Sequence, residues 1–177
     1  VYGGFGGWET QRSERDIDAN PTIISGDLNG DDLINWQNRT DNAYVLLLLD
    51  LGSQVGATPA ETFDLQGPFV LDGVTLSGGH NDTTTYNSWR YGSGVAIKAS
   101  YDSSWGPDSL YRVTLRDCVV TDNFAEIAGN EARAGILALD QPMPVTMERL
   151  EVRGNYAELD VIRSWGCSYE PTFIVNC

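Results

Sequence analysis

The sequence predicts an all-β solenoid, in which short strands form coils and successive coils stack on one another. The first observation is a repeat, because DNFAE at 122–126 returns as GNYAE at 154–158. The second is that the preceding segments also match, since VTLRDCVV at 113–120 corresponds to VTMERLEV at 145–152. Repeats of roughly 20–50 residues with variable insertions are typical of solenoids and related arrays.

Two further segments extend the repeat in both directions. FVLDGVTLSG at 69–78 reads as an earlier copy, and FIVNC at 173–177 as the start of a later one. The copies align on Gly73, Cys118, Leu150 and Cys177, so the spacing between them shortens along the chain. One coil cannot bury its own apolar face, so the coils must stack as parallel sheets with alternate side chains inward. The expected inward residues are Leu71, Val74, Leu76, Leu115, Cys118, Val120, Met147, Leu150 and Val152.

Residues 1–62 are predicted to form N-terminal coils that a long loop interrupts. A strand at 22–26 follows Pro21, which disfavours a helix immediately before it. Residues 27–42 are rich in Asp and Asn and indicate the loop. The strand predicted at 43–51 is apolar on both faces, so we expect it to be covered on both sides or to lie in the middle of a sheet.

Residues 63–177 are predicted to form the more regular coils of the same single domain. The strands at 94–99 and 135–139 correspond to each other, with Gly94 aligned on Gly135. Asn123 and Asn155 each follow a pair of strands, where we expect left-handed backbone angles and a local hydrogen bond at the corner.

The composition limits the class of protein and of partner. The 177 residues are 41% hydrophobic and 20% charged, which suits a packed core, and the net charge is −14. This charge disfavours nucleic acid and anionic membranes as partners, and it favours solubility and the binding of cations. A membrane-spanning helix needs roughly 18 or more apolar residues in succession. The longest apolar run, YVLLLL at 44–49, has only the length of a strand, so no membrane span is expected.

The ends of the sequence also carry an expectation. Val1 begins inside a predicted strand and Cys177 ends in one. We therefore expect residues 1–177 to be a fragment or a processed piece.

Several motifs together resemble a known class of proteins. VYGGFGGWET at 1–10, NPTIISGDLNGDD at 20–32, FVLDGVTLSGG at 69–79 and the NFAE and NYAE repeats carry the resemblance. They are similar to the first coils of large exported bacterial right-handed parallel β-helix proteins, akin to the pectate-lyase-like superfamily and the polymorphic outer-membrane protein repeats. The chain departs from that pattern at Leu150, where Cys or Gly is common, and at residues 133–135, where RAG replaces a glycine triplet.

The resemblance implies an all-β, right-handed parallel β-helix with long loop insertions, at an extracellular or outer cell-surface location. Members of such families include adhesins, surface structural proteins and polysaccharide-degrading enzymes, so the fold does not decide the chemistry.

The sharpest local signal for a ligand is the run DLNGDDLIN at residues 27–35. It places oxygen ligands at alternate positions, as in calcium loops of the dockerin or EF-hand type. The predicted calcium ligands are Asp27, Asn29, Asp31 and Asn35. The sixth position is Asp32 in place of Gly, so a solvated Asx-rich turn is the alternative.

Other candidate positions are weaker. Cys118 is expected to be buried and reduced, whereas Cys167 and Cys177 are close enough in sequence to form a disulfide in an exported chain. Asn38 and Asn81 match the N-glycosylation acceptor. His80 is expected to be a surface histidine, and one histidine cannot supply a catalytic triad.

The loop aromatics and the paired acids support two further alternatives. The candidate sugar-stacking or interface aromatics are Trp89, Tyr91 and Trp105, although such loop residues also pack onto coil bodies. The acids that could form a hydrolytic pair are Asp117, Asp122, Glu126, Glu148, Glu151 and Glu158, which we expect to be solvated charges. The arginines at 116, 149 and 153 are expected to point to solvent.

The favoured hypothesis is a non-catalytic module with a structural, adhesive or assembly role, because the repeats lack a convincing catalytic set. Its partners would be other protein subunits or copies of itself, joined through open solenoid ends. A polysaccharide lyase or glycoside hydrolase and a carbohydrate-binding module are the alternatives.

Overall fold

Short strands dominate the computed structural model, which describes residues 1–50, 68–81, 93–98, 112–125, 135–140, 145–157, 160–165 and 173–175. These residues form 15 strands and one 3₁₀ turn, Arg12–Glu14. None of them belongs to a helix with the length and apolar character that crossing a membrane requires. The all-β class is therefore confirmed.

The strands pair in parallel in four sheets, A to D. Sheet A contains β3 (Phe69–Asp72), β7 (Val113–Arg116), β11 (Val145–Glu148) and β15 (Phe173–Val175). Sheet B contains β1 (Thr22–Ser25), β4 (Val74–Ser77), β8 (Val119–Thr121) and β12 (Glu151–Arg153). Sheet C contains β2 (Leu47–Asp50), β6 (Val95–Lys98), β10 (Gly135–Asp140) and β14 (Asp160–Trp165). Sheet D contains β5 (His80–Asn81), β9 (Phe124–Ala125) and β13 (Tyr156–Ala157).

The chain visits the sheets in the order A, B, D, C and then begins again at A. Each such pass is called a rung. Rung 2 comprises β3 to β6, rung 3 comprises β7 to β10, and rung 4 comprises β11 to β14. Rung 1 comprises Tyr2, which forms a parallel bridge with Asp72 in sheet A, followed by β1 and β2.

The copies that align in the sequence lie side by side in these sheets. Leu115 pairs with Met147, and Met147 pairs with Ile174, as the two later alignments predict. Both of these registers are confirmed. The other two alignments are wrong by one position, because Leu71 pairs with Leu115 and Val95 pairs with Leu137.

The one-position error in aligning rung 2 with rung 3 arises at the bend between sheets A and B. The residue at this bend has a left-handed backbone in each rung: Gly73 (φ 74°), Asp117 (φ 50°) and Arg149 (φ 48°). Gly73 therefore corresponds to Asp117, whereas the sequence alignment matched it to Cys118. The backbone conformation, which favours glycine but does not demand it, decides the alignment.

A second left-handed column forms the bend between sheets B and D. It contains Gly78 (φ 82°), Asp122 (φ 55°) and Gly154 (φ 60°). The prediction that Asn123 and Asn155 adopt this conformation is wrong by one position. Their side chains do make the expected corner hydrogen bonds: Asn123 Nδ2 donates to Thr121 O at 2.9 Å, and Asn155 Nδ2 donates to Arg153 O at 3.0 Å.

The core lies between the sheets and fills with the residues that alternation predicts. Eight of the nine expected inward residues are at most 2% exposed, among them Leu76, Leu115 and Met147. Val152 is partly buried against the same cluster. Cys118 is 1% exposed, and this burial raises the pKa of its thiol, as a buried reduced cysteine requires.

The strand predicted at 43–51 differs from expectation in place and in coverage. It begins only at Leu47 and forms the edge of sheet C among the described strands. Leu48 is 45% exposed on its outward face, so the prediction of cover on both sides is wrong. The apolar run therefore marks an uncovered surface of rung 1.

Candidate functional site

The loop between β1 and β2 packs against an aromatic column on sheet D. The register of sheet D places His80 beside Phe124 and Phe124 beside Tyr156. The Phe124 and Tyr156 rings stack with centroids 4.8 Å apart, and His80 meets Phe124 edge-on at 4.8 Å. Trp36 covers the column, with its centroid 5.5 Å from that of Phe124. Trp36, a tryptophan of the loop, therefore packs onto the strands of sheet D.

Arg39 joins this loop to rungs 2 and 3 from a buried position. Its side chain is 6% exposed, and its Cζ lies 4.5 Å from the centroid of the Trp36 ring. Its Nη1 donates to Asp122 O at 2.7 Å, and its Nη2 lies 3.5 Å from Asp32 Oδ2. Its carbonyl oxygen accepts from His80 Nδ1 at 2.7 Å, so His80 is half-buried and bonded, which corrects the expectation of a surface histidine.

A cleft of about 310 Å³ lies between the loop and the bend of sheet B. Its walls include Asp27, Asp32, Ile34, Trp36, Arg39 and Asp122. Three acids against one base make its walls net negative, which disfavours anionic ligands. The buried Asp32 Oδ1 and Arg39 Nε have no hydrogen-bond partner in the part of the chain that the structure describes.

Three carboxylates of the same loop converge at its surface. Oxygens of Asp27, Asp31 and Asp41 all lie within 4.8 Å of one another. Two ligands at 2.3–2.6 Å from one calcium ion can be at most about 5.2 Å apart, so the spacing fits this ion. Asp27 and Asp31 were predicted ligands, whereas Asp41 lies outside the 27–35 run and was missed.

The remaining predicted calcium ligands have other surroundings. Asn29 donates its backbone N–H to Asp41 Oδ2 at 3.2 Å, and Asn35 is exposed. Desolvation raises the pKa of Asp27, but backbone N–H groups of Asp32, Gly30 and Asp31 outweigh it, so the pKa lies below its ordinary value. A carboxylate that stays ionised suits a cation, and calcium at this loop stays a prediction.

Two of the acids considered for hydrolysis, Asp117 and Glu148, form ion pairs with arginines of a neighbouring rung. A third carboxylate, Asp72, joins rungs in the same way. Asp72, with a side chain 3% exposed, accepts from Arg15 and, at 2.9 Å, from Arg116 Nε. Arg149 Nη2 donates to Asp117 Oδ2 at 2.7 Å. Arg149 and Arg153 are 53% and 62% exposed, as predicted, whereas Arg116 is only 32% exposed. Arg116 and Arg149 also bind carboxylates between rungs, which the sequence did not predict.

The most distinctive surface is the side of rung 1 that faces away from rung 2, which we call the open side. It consists of the outer edges of β1 and β2, together with the side chains of Ile24, Leu46, Leu47 and Leu49 that pack against the core. These side chains are only partly buried. The inward residues of rung 2 directly beneath, such as Leu76 and Ile97, are 0–1% exposed.

Backbone groups also reach out from the open side. Gly26 N donates to Ser77 O at 2.8 Å, so Ile24 and Thr22, which lie two and four residues earlier, also direct their backbone N–H and C=O groups toward β4. In a parallel pair the alternate residues, Ile23 and Ser25, then direct their N–H and C=O groups away from β4. Within the described ranges β1 and β2 each have one sheet neighbour. An edge of this kind is a template for another strand.

Several candidate residues lie elsewhere or outside the described residues. Trp89, Tyr91, Trp105, Glu126, Glu158, Cys167 and Cys177 are outside them. Asn38 is exposed, so its glycosylation stays a prediction, whereas Asn81 is fully buried in β5, where an attached glycan has no room. Comparison with protein-family models, curated proteins and solved structures found no match to this chain.

Proposed function

We propose that this chain is a non-catalytic structural module of an extracellular or cell-surface assembly, and that its open side joins another subunit. The four sheets would be the faces of a right-handed parallel β-helix. The observation that supports the role is the contrast in burial between rung 1 and rung 2, whose inward side chains have the same apolar chemistry. Half-exposed core residues beside free strand edges are a common feature of protein interaction surfaces.

The charge distribution favours association at this surface. The chain carries a net charge of −14, yet β1 contains no charged residue and β2 contains only Asp50, at its end. Contact through β1 therefore brings few like charges together for a chain with this net charge. Burial of Ile24, Leu46, Leu47 and Leu49 would add about 25 cal/mol for each Å² of apolar area removed from water.

Light scattering over a range of protein concentrations tests the proposal. We expect the chain to associate reversibly, and we expect Ile23→Lys to prevent association by placing a charge on the β1 edge. Ile23 is 58% exposed, so the substitution leaves the core intact. Leu28→Lys is the matched control, because Leu28 is 69% exposed and lies in the loop.

Two results would contradict the proposal. One is a wild-type chain that stays monomeric at every concentration. The other is an Ile23→Lys variant that associates as strongly as Leu28→Lys and the wild-type chain. Polysaccharide cleavage, with or without calcium, would favour the enzyme alternative.

A further inference from the structure

The edge of β1 that faces away from β4 has no partner among the described strands, and its backbone groups restrict how a second copy can pair with it. The inference rests on the proposed association through the open side, and it identifies the partner and the register. At the other side of the stack, β15 already extends sheet A beyond rung 4. A copy stacked there by its own rung 1 would place Tyr2 where β15 lies. Contact between two open sides, related by a two-fold axis, has no such conflict and is the commonest arrangement of homodimers.

A two-fold contact makes β1 antiparallel to its copy, and only residues with outward backbone groups can exchange hydrogen bonds. Those residues are Ile23 and Ser25, since Gly26 and Ile24 face β4. A register centred on Ile24 places Ile23 opposite Ser25 of the copy, and Ser25 opposite Ile23. Both outward N–H groups and both outward carbonyls of each strand then find partners.

The two symmetric registers centred one residue away leave groups unpaired. A register centred on Ile23 places Ser25 opposite Pro21 of the copy, and proline has no N–H to donate. A register centred on Ser25 places Ile23 opposite Asp27, whose N–H already donates to Ser25 Oγ at 3.2 Å. Each alternative therefore loses hydrogen bonds that the Ile24 register makes.

The side chains agree with the Ile24 register. Ile24 pairs with the buried Leu76 in sheet B and packs against the core, so it points inward. At the axis it would meet its own copy across a pair without backbone hydrogen bonds, where the side chains approach most closely. The two cores would then be continuous across the junction.

We propose that two copies of this chain form a two-fold dimer by antiparallel pairing of their β1 strands, with Ile24 on the axis. Sheet B of one copy continues into sheet B of the other. The proposal goes beyond association in general, because it specifies which residues face each other.

Cysteine cross-linking tests the register. Cα atoms of an antiparallel pair without hydrogen bonds are about 4.5 Å apart, which a disulfide spans, whereas diagonal neighbours at about 7–8 Å are too far apart. Ile24→Cys alone should oxidise to a dimer linked through residue 24. Ile23→Cys alone should not form a link at residue 23, and a mixture of Ile23→Cys with Ser25→Cys should link residues 23 and 25.

Mass spectrometry of the linked peptides separates these bonds from any formed by the native cysteines, with the wild-type chain as background. The mixed experiment uses outward positions, so it keeps the test valid if Ile24→Cys fails to fold. Light scattering on the same samples distinguishes a wrong register from a failure to associate. Dimers that link through Ile23→Cys alone, or that give neither the 24–24 nor the 23–25 link, overturn the register. Absence of dimers at every concentration overturns the association itself and the register with it.

Discussion

Rung 1 and rung 3 are built from the same kinds of strand but differ in what covers them. Leu115 and Val120 in rung 3 have a strand on each side and are at most 1% exposed. In rung 1, Ile24 lies at the position equivalent to Val120, and Leu47 is an inward residue of sheet C. Both have one neighbouring strand among those described, and both stay partly exposed. The difference shows that burial in this fold comes from the neighbouring rungs, and among the described residues rung 1 has only rung 2 beside it.

The largest predicted effect tests this difference in burial directly. Leu115→Ala should destabilise the chain by about 3 kcal/mol, because it opens a cavity at a fully buried position of the core. Leu47→Ala should cost roughly half of that, since a partly exposed side chain loses less apolar burial. Urea unfolding at low protein concentration measures both. Equal costs would mean that rung 1 is as well covered as rung 3.

A second pair of substitutions makes the same comparison for polar groups. Asn123 is fully buried and bonds to both neighbouring rungs, accepting from Gly79 N at 2.8 Å and donating to Asn155 Oδ1 at 3.0 Å. Asn123→Ala should cost about 1–3 kcal/mol, because it leaves buried groups without partners. Asn155→Ala, at the edge of sheet D, should cost less. Unfolding midpoints in urea measure the difference, and a larger cost at Asn155 would contradict the account.

The left-handed bends predict a smaller effect that does not depend on cover. Gly154 has φ 60° and is exposed, and an added Cβ would lie 3.3 Å from Asp122 Oδ1. Gly154→Ala should therefore cost about 1 kcal/mol, chiefly through backbone strain. Arg153→Ala is the neighbouring control, with an exposed ion pair to Glu151 and little expected change. A Gly154→Ala variant as stable as the control would show that the left-handed backbone at this bend does not favour glycine at position 154.

The ion pair between rungs 3 and 4 predicts the smallest effect, with a definite pH dependence. The Arg149 hydrogen bond and charge hold the pKa of Asp117 below its ordinary value. The stabilisation is therefore complete above the ordinary pKa of an aspartate and is lost as the pH falls through the lowered one. Asp117→Asn should reduce stability at neutral pH by less than about 1 kcal/mol, and the difference should vanish in strong acid. A difference that grows in acid would have the wrong sign.

The calcium prediction can be tested separately, because it concerns the loop and not the rungs. Calorimetric titration with calcium should show binding to the wild-type chain and weaker binding to Asp41→Asn, which removes one of the three converging carboxylates. Asp18→Asn, an exposed acid outside the loop, is the control. Equal binding by the Asp41 and Asp18 variants would exclude this cluster as the site.

The sequence predicted the rungs well because their periodicity is local. Alternation in VTLR and VTME identifies the inward residues, and the match between these copies sets the register between rungs 3 and 4. It did not predict the bends, because Gly73, Asp117 and Arg149 share a backbone conformation and no side-chain chemistry. A left-handed arginine gives no signal in a sequence.

The candidate site was harder to predict because its contacts cross long separations. Asp41 joins Asp27 and Asp31 only because the loop folds back on itself. Trp36 contacts Phe124 only because the same loop packs against sheet D, where the strand register sets the position of Phe124. Open solenoid ends were predicted, but the exposure of the VLLLL run was not, since an apolar run indicates burial without saying which neighbour provides it.

Hydrogen exchange at the outward amides of β1 tests the central claim most directly. The N–H groups of Ile23 and Ser25 face away from β4, so they should exchange rapidly in dilute protein and slowly when the chain is concentrated. The amides of β4, paired on both sides, should be protected at both concentrations. Concentration-dependent protection confined to the edges of rung 1 is the result that we predict. Equal exchange of the Ile23 and Ser25 amides at low and high concentration would contradict a role for the open side in assembly.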